Sequence, residues 1–177
     1  MKKHIYNAGP LFTKGEIRER LTEDDKLKNL ANYTYFNPIT APCNNKSSLP
    51  TSLDIFTGDT DEVRKADIIL ANLDHEDAGV MAEMGISWGL SYAAEVAATL
   101  HKSGYIDKTA LDMFNSLGVK KKELIAMAYD LREGTAGEYD GIKVPFGRNQ
   151  YVIGLIEDMN GKIVTDFDDA ISILKEK

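Results

Sequence analysis

The chain has 177 residues, 43% apolar and 28% charged, with a net charge of −7 and a pI near 5.0. That length fits one domain with a core of its own, and the composition excludes a wholly disordered chain. The acidic balance argues against nucleic acid or an anionic membrane as main partner, and the single cysteine, Cys43, excludes a disulfide framework or a multi-cysteine metal site.

Met1-Lys2-Lys3-His4 leads into an apolar stretch without a signal-peptide pattern, so a cytoplasmic location is expected. Ile5 to Ala8 reads as a short strand stopped by Gly9-Pro10. Thr13 with Glu16 forms a capping-box pattern, and Ile17, Leu21, Leu27 and Leu30 mark an amphipathic surface helix. Tyr33 to Phe36 has the character of a second strand. Asn37 to Pro50, with three prolines and three asparagines, is a long loop. A helix is expected over Ser52 to Lys65 with Leu53, Phe56 and Val63 inward. Ala66 to Leu73 is a dense apolar run bounded by charge, as in a parallel strand buried on both faces.

Ala78 to Leu100 imitates a membrane span in length, but Glu83 and Glu95 would each cost about 2.5–3.5 kcal/mol at mid-membrane, so a core helix is the better reading. Asp107 to Leu117 reads as a short extra helix and Glu123 to Tyr129 as a further buried strand. Arg132 to Arg148 reads as a glycine-rich loop, Asn149 to Glu157 as an apolar segment of open type, Lys162 to Val164 as a strand. Asp166 to Lys177 closes the chain as a helix with Phe167, Ile171 and Leu174 inward. Alternating strands and helices predict an α/β fold: a parallel, flavodoxin/Rossmann-like sheet flanked by helices in three α/β/α layers, one domain over 1–177. Ligands of such sheets bind outside the carboxyl ends of the strands, here Tyr6 to Phe12, Asp74 to Glu83, and Asp130 onward.

Glu83 stands out within that rule. It lies among methionines and alanines early in its helix, where an unpaired carboxylate is costly and its pKa rises, while the positive helix end favours the anion. The bland alternative is a glutamate on a solvent edge or paired with a base. Asp77 is a natural N-cap that also lines the crevice, and Ala78-Gly79 would let a flat ligand approach the backbone. Asp59 sits in a charge run that solvation alone would explain. Tyr6 ends the first strand, either as a buried hydroxyl with a partner or as a substrate contact.

Other signals fail. His4, His75 and His101 lack metal-site spacing, so no metal is expected. There is no G-x-G-x-x-G, Walker A or G-x-S-x-G sequence, and no cofactor is expected. Gly134-Thr135-Ala136-Gly137 makes a weak phosphate cradle, Cys43 is incidental, and Lys120 to Lys122 reads as a solvated cap before a strand. Several carboxylates around a pocket suit glycosidic-bond cleavage, one attacking the anomeric carbon and another handling the leaving group's proton.

Three motifs then coincide: Ile5-Tyr6-Asn7-Ala8-Gly9-Pro10-Leu11-Phe12; Asp59 followed by Ala66-Asp67-Ile68-Ile69-Leu70-Ala71; and Asp77-Ala78-Gly79-Val80-Met81-Ala82-Glu83-Met84-Gly85. In this order they resemble the nucleoside 2-deoxyribosyltransferase family. The resemblance implies that Glu83 is the nucleophile attacking C1′ of a 2′-deoxynucleoside, with a covalent deoxyribosyl ester and net retention. It implies that Asp77 and Asp59 hold the base and relay a proton, and that Tyr6 orients Glu83. Gly9, Pro10, Phe12 and Gly79 would contact substrate. Asn149 would complete a neighbouring subunit's pocket, implying a homo-oligomer with shared sites. The implied partners are small nucleosides and nucleobases, in salvage, rather than nucleic acid polymers or membranes. An extra stretch at about 105–120 departs from the shorter members.

Two other functions stay open at this point: an N-glycoside hydrolase acting on nucleosides or nucleoside 5′-monophosphates, and a non-catalytic nucleoside-binding protein. A phosphate would need a site, with Ser87, Arg148 and the Gly134 loop as candidates; an acidic pocket suits a nucleoside better than a nucleotide.

Overall fold

The strand Ile68–Asn72, apolar through Ala71 and buried along its whole length, takes the middle of a five-stranded sheet with a paired strand at each edge. The structure, a computed structural model, describes residues 2–129, 137–139, 142–144 and 148–176. Its elements are β1 (Lys3–Ala8), α1 (Lys14–Lys28), β2 (Tyr33–Phe36), α2 (Ser52–Lys65), β3 (Ile68–Asn72), α3 (Ala78–Lys102), α4 (Lys108–Ser116), β4 (Glu123–Met127), β5 (Gly137–Tyr139), β6 (Ile142–Val144), α5 (Gln150–Asp158), β7 (Lys162–Val164) and α6 (Phe167–Lys175). The sheet order is β2-β1-β3-β4-β7, all parallel; β5 and β6 pair antiparallel apart from it.

Strand side chains alternate between faces, and the register sorts them into two cores. Tyr6, Ala8, Ile69, Ala71, Leu124 and Ala126 meet α2, α3 and α5 through Val63, Val80, Met84 and Ile156. On the other face Ile5, Ile68, Leu70, Ile125 and Met127 meet α1 and α6 through Leu27, Leu30, Phe167, Ile171 and Leu174. The expected α/β/α layering is therefore observed, with α4 packed on α3. The chain runs from β1 outward to β2 and returns to β3 on the other side of β1, so the crevice lies between the carboxyl ends of β1 and β3. It brings the end of β1 beside the head of α3, Tyr6 reaching Glu83.

Helix starts follow local chemistry. Thr13 and Glu16 form the expected capping box, Thr51 and Asp54 form another, and Asp77 caps α3 by accepting from the Val80 N–H at 2.8 Å.

Several expectations need correction. α1 turns a polar face inward: Arg20, Glu23 and Asp24 are buried, whereas Leu21 is exposed. Leu53 and Phe56 of α2 are 70% and 60% exposed, and only Val63 of the expected three reaches the core. α2 packs beside the turn at Pro42–Asn44 as well as against α3 and β1. The region read as a loop over Arg132 to Arg148 contains the β5–β6 pair, and the open segment after Asn149 is helix α5. Lys122 is buried and not a solvated cap, its ammonium donating to the carbonyls of Arg64 and Ala66 at 3.0 and 2.7 Å at the end of α2. Burial lowers its pKa to about 8. None of the described helices is long and apolar enough to cross a membrane.

Candidate active site

Strand alternation aims Tyr6 at the α2/α3 face, where its fully buried ring stacks on Phe36 with centroids 5.6 Å apart and planes 15° apart. A tyrosine so placed needs a partner for its hydroxyl. It donates to Oε1 of Glu83, on the second turn of α3, in a short hydrogen bond.

Two further carboxylates act on Glu83. Asp77 stands at the N-cap of α3, and Asp59 lies on the inner side of α2, accepting from the Asn44 side-chain amide at 3.3 Å. Burial, first, and then the negative charges of Asp59 and Asp77 push the Glu83 carboxyl up to about 7, while the Tyr6 hydroxyl opposes the shift. Tyr6, Asp59, Asp77 and Glu83 thus form one electrostatic unit.

Gly79 has a local reason to be small: a Cβ there would stand 2.9 Å from Asp77 Oδ1 and disturb the capping carboxylate. Gly9, Pro10 and Phe12 lie on the turn after β1, Pro10 buried and Phe12 81% exposed. A Cβ on Gly9 would fall 2.0 Å from Arg20 Nη1, so its smallness makes room for a buried guanidinium. Asn149 is not hydrogen-bonded into the carboxylate cluster. Its side chain caps α5 by accepting from the Tyr151 N–H at 3.0 Å, and its own N–H donates to Glu76 at 3.2 Å. It lines an open groove of about 810 Å³ between α3 and α5, with Met81, Trp88 and Tyr151.

The phosphate candidates are otherwise engaged. Ser87 is buried and donates to the Glu83 carbonyl at 2.8 Å, within its own helix. Arg148 pairs with Asp74 at 3.1 Å. Residues 134–136 of the glycine-rich segment lie outside the described residues, as does part of the crevice region from Asp130 onward. The amides just before α1 are taken up by its own side chain, Glu16 accepting from the Phe12 and Thr13 N–H groups at 2.9 and 2.6 Å. Among the described residues no group of three His, Cys, Asp or Glu could hold a metal ion.

Sequence reading missed Asn44, Phe36 and Arg20. Asn44 touches the cluster from a loop without periodicity, Phe36 supports Tyr6 from a neighbouring strand, and Arg20 looks like any helix-surface arginine. Glu76 was missed too; it adopts a positive φ of 46° directly before Asp77, a backbone state that no residue pattern in this turn announces.

A carboxylate held by a phenol beside two acids at a strand-end crevice is the equipment of a glycosyl-transferring or glycoside-cleaving enzyme. The profile of the family described as nucleoside 2-deoxyribosyltransferase matches residues 5–113, more than half of the chain, and the chain belongs to that family. Its activity is accordingly of the deoxyribosyltransferase type, with small nucleosides and nucleobases as the implied substrates. Among solved structures, a conserved protein of Enterococcus faecalis V583 aligns over 99% of both chains with 23% identity and a TM-score of 0.67, supporting the fold. The 2-deoxyribosyltransferase of the psychrotolerant bacterium Bacillus psychrosaccharolyticus aligns over 70% of this chain and 72% of its own, with 17% identity and a TM-score of 0.39. No curated protein matches the chain.

Proposed function

We propose that the protein moves a 2-deoxyribosyl group from one nucleobase to another through a covalent ester on Glu83. The observation that carries this reading is the Tyr6–Glu83 hydrogen bond inside a field set by Asp59 and Asp77. Tyr6 occupies Oε1, which leaves Oε2 to attack C1′. The C1′–N bond breaks, its electron pair goes to the departing base, and a proton relayed from solvent through Asp77 or Asp59 neutralises the base. A second base then attacks C1′ from the opposite side, its N–H proton returns to the aspartate, and the ester bond breaks to restore the Glu83 carboxylate. Two inversions give net retention.

A pKa near neutrality suits this role, since Glu83 must be ionised to attack and yet weakly solvated to be reactive. A nucleoside is favoured over a nucleoside 5′-monophosphate. Ser87 and Arg148 have partners within the chain, and the three carboxylates would repel a phosphate.

Incubation with deoxyinosine plus adenine, and with deoxyinosine alone, tests the reading. Deoxyadenosine in the first tube supports transfer; free hypoxanthine in equal amount in both tubes would replace transfer by hydrolysis. No change with any deoxynucleoside pair would leave a binding protein. We further infer that a second copy covers the α3/α5 groove and brings Asn149 toward the neighbouring site. Trp88 and Tyr92, stacked at 5.5 Å, and Tyr151 at 85% exposure form an aromatic surface beside that groove. Tyr151→Glu should lower the oligomeric state seen by light scattering; an unchanged mass would remove this face from the interface.

A further inference from the structure

The α1 face of β1 holds a buried polar cluster with no part in the steps above. Arg20 is 1% exposed, and its Nη2 donates to Glu23 Oε1 at 2.5 Å. Its Nη1 donates to the Ala8 carbonyl at 3.3 Å. Glu23 accepts from the Asn7 amide at 2.8 Å and from the Tyr129 hydroxyl, beyond β4, at 3.2 Å. The Asn37 amide, at the end of β2, donates to the Arg20 carbonyl at 3.1 Å. One helix thus grips the ends of three strands at the edge of the crevice.

Stability is a poor reason for such a cluster. Buried ion pairs commonly do no better than well-packed apolar groups, and here Asn7 Oδ1 and Arg20 Nε are buried without hydrogen-bond partners among the described residues. Position is the better reason. Asn7 and Ala8 directly follow Tyr6, so the side chain of one and the carbonyl of the other are anchored on the α1 face. Tyr6 points to the opposite face with its hydroxyl on Glu83. Gly9 lacks the Cβ that would collide with the guanidinium.

We propose that Arg20 is a positioning residue: held by Glu23, it fixes the end of β1 and thereby aligns the Tyr6 hydroxyl on Glu83. The inference rests on Glu83 being the group that reacts, but its test does not require turnover. Glu83 is faced by Tyr6 from β1, Asp59 from α2 and Asp77 from the head of α3; Tyr6 is the one that favours its ionised form. Misaligning Tyr6 therefore raises the midpoint at which Glu83 ionises.

The measurement is a carboxyl ¹³C NMR titration of glutamate-labelled protein, with the Glu83 resonance assigned by its loss in Glu83→Gln. Arg20→Lys keeps a cation but cannot span Ala8 and Glu23 together, and should raise the Glu83 midpoint by about one unit. Tyr6→Phe should raise it too, and adding Arg20→Lys to Tyr6→Phe should raise it no further. Lys26→Ala removes a different α1 tether, the surface pair with Asp168 at 2.6 Å, and should leave the midpoint in place. If Arg20→Lys does not fold, Glu23→Gln reads the same shift, since it removes the charge that holds the guanidinium. In the transfer assay kcat should fall by roughly 10-fold with KM little changed, as expected for a misaligned reacting group.

A midpoint unmoved in Arg20→Lys and Glu23→Gln despite a lowered Tm, or moved equally in Lys26→Ala, would reduce the cluster to a structural tie. Wild-type protein inactive in every transfer assay, yet with the midpoint shifting as described, would overturn the proposed function and leave the positioning role standing.

Discussion

Glu23 and Glu83 flank the end of β1, one on each face of the sheet, and burial pushes both carboxyls up to about 7. Their surroundings differ in kind. Glu23 has a guanidinium, a side-chain amide and a phenol, three donors that favour its anion against one like charge, Glu19. Among the described residues Glu83 has one side-chain donor, Tyr6, and two carboxylates that disfavour its anion. A perturbed pKa therefore does not by itself mark a reacting group. The contrast between surplus donors and surplus like charge does.

Breaking each residue in turn should give opposite phenotypes. Glu83→Gln removes the nucleophile while keeping shape, and base exchange measured by chromatography should drop at least about 10³-fold with the far-UV spectrum unchanged. Residual turnover near wild type would move the chemistry to another group. On the other face Arg20→Ala strands the Glu23 carboxylate in the core and should cost about 3–5 kcal/mol in urea unfolding. The double variant Arg20→Leu/Glu23→Leu should recover most of that loss, because what harms the fold is the unpaired charge.

The two glutamates were also unequally legible in the sequence. Glu83 stands in an apolar helix directly after the most hydrophobic strand, where a lone acid is conspicuous, and the strand-end rule placed it in the crevice. Glu23 and Arg20 lie in a helix so rich in charge that nothing marks the buried ones; apolar spacing pointed to Leu21, which is exposed. Layering, the parallel sheet and most element positions followed from apolar runs and caps, which are local signals. Leu53 and Phe56 failed because helical spacing gives a common face without saying whether the sheet reaches that far. Asn149, for which the resemblance implied a place in a neighbouring subunit's pocket, caps α5 in its own chain.

The comparison also predicts a gain. Glu83 is destabilising when ionised, since folding raises its pKa from 4.5 to about 7. A raised carboxyl pKa means the folded state binds the proton more tightly than the unfolded state does. The benefit is present below pH 4.5 and is lost as pH rises toward 7. At pH 8 Glu83→Gln should therefore be more stable than the parent, on the order of 1–3 kcal/mol after allowance for partial exposure. At pH 4 the two should unfold together. Equal stability at both pH values would mean that Glu83 ionises as an ordinary carboxyl. A gain at high pH with lost activity would make this site one where function is held against stability.

The smallest effect is the most diagnostic of the carboxylate cluster. If Glu83 must be ionised to attack, kcat/KM for transfer rises with pH through an acidic limb near 7, the value to which its carboxyl is pushed. Asp59 contributes to that value through its charge, acting from α2. Asp59→Asn keeps the size and the contact with Asn44 while deleting the charge, so the limb should move down by about half a unit. The plateau above the limb reports something else, the handling of the base and its proton, and it should fall independently. A lower plateau with an unmoved limb would leave Asp59 in contact with substrate but outside the field of Glu83. A limb that moves with the plateau intact would make Asp59 a tuning charge, leaving Asp77 to carry the proton.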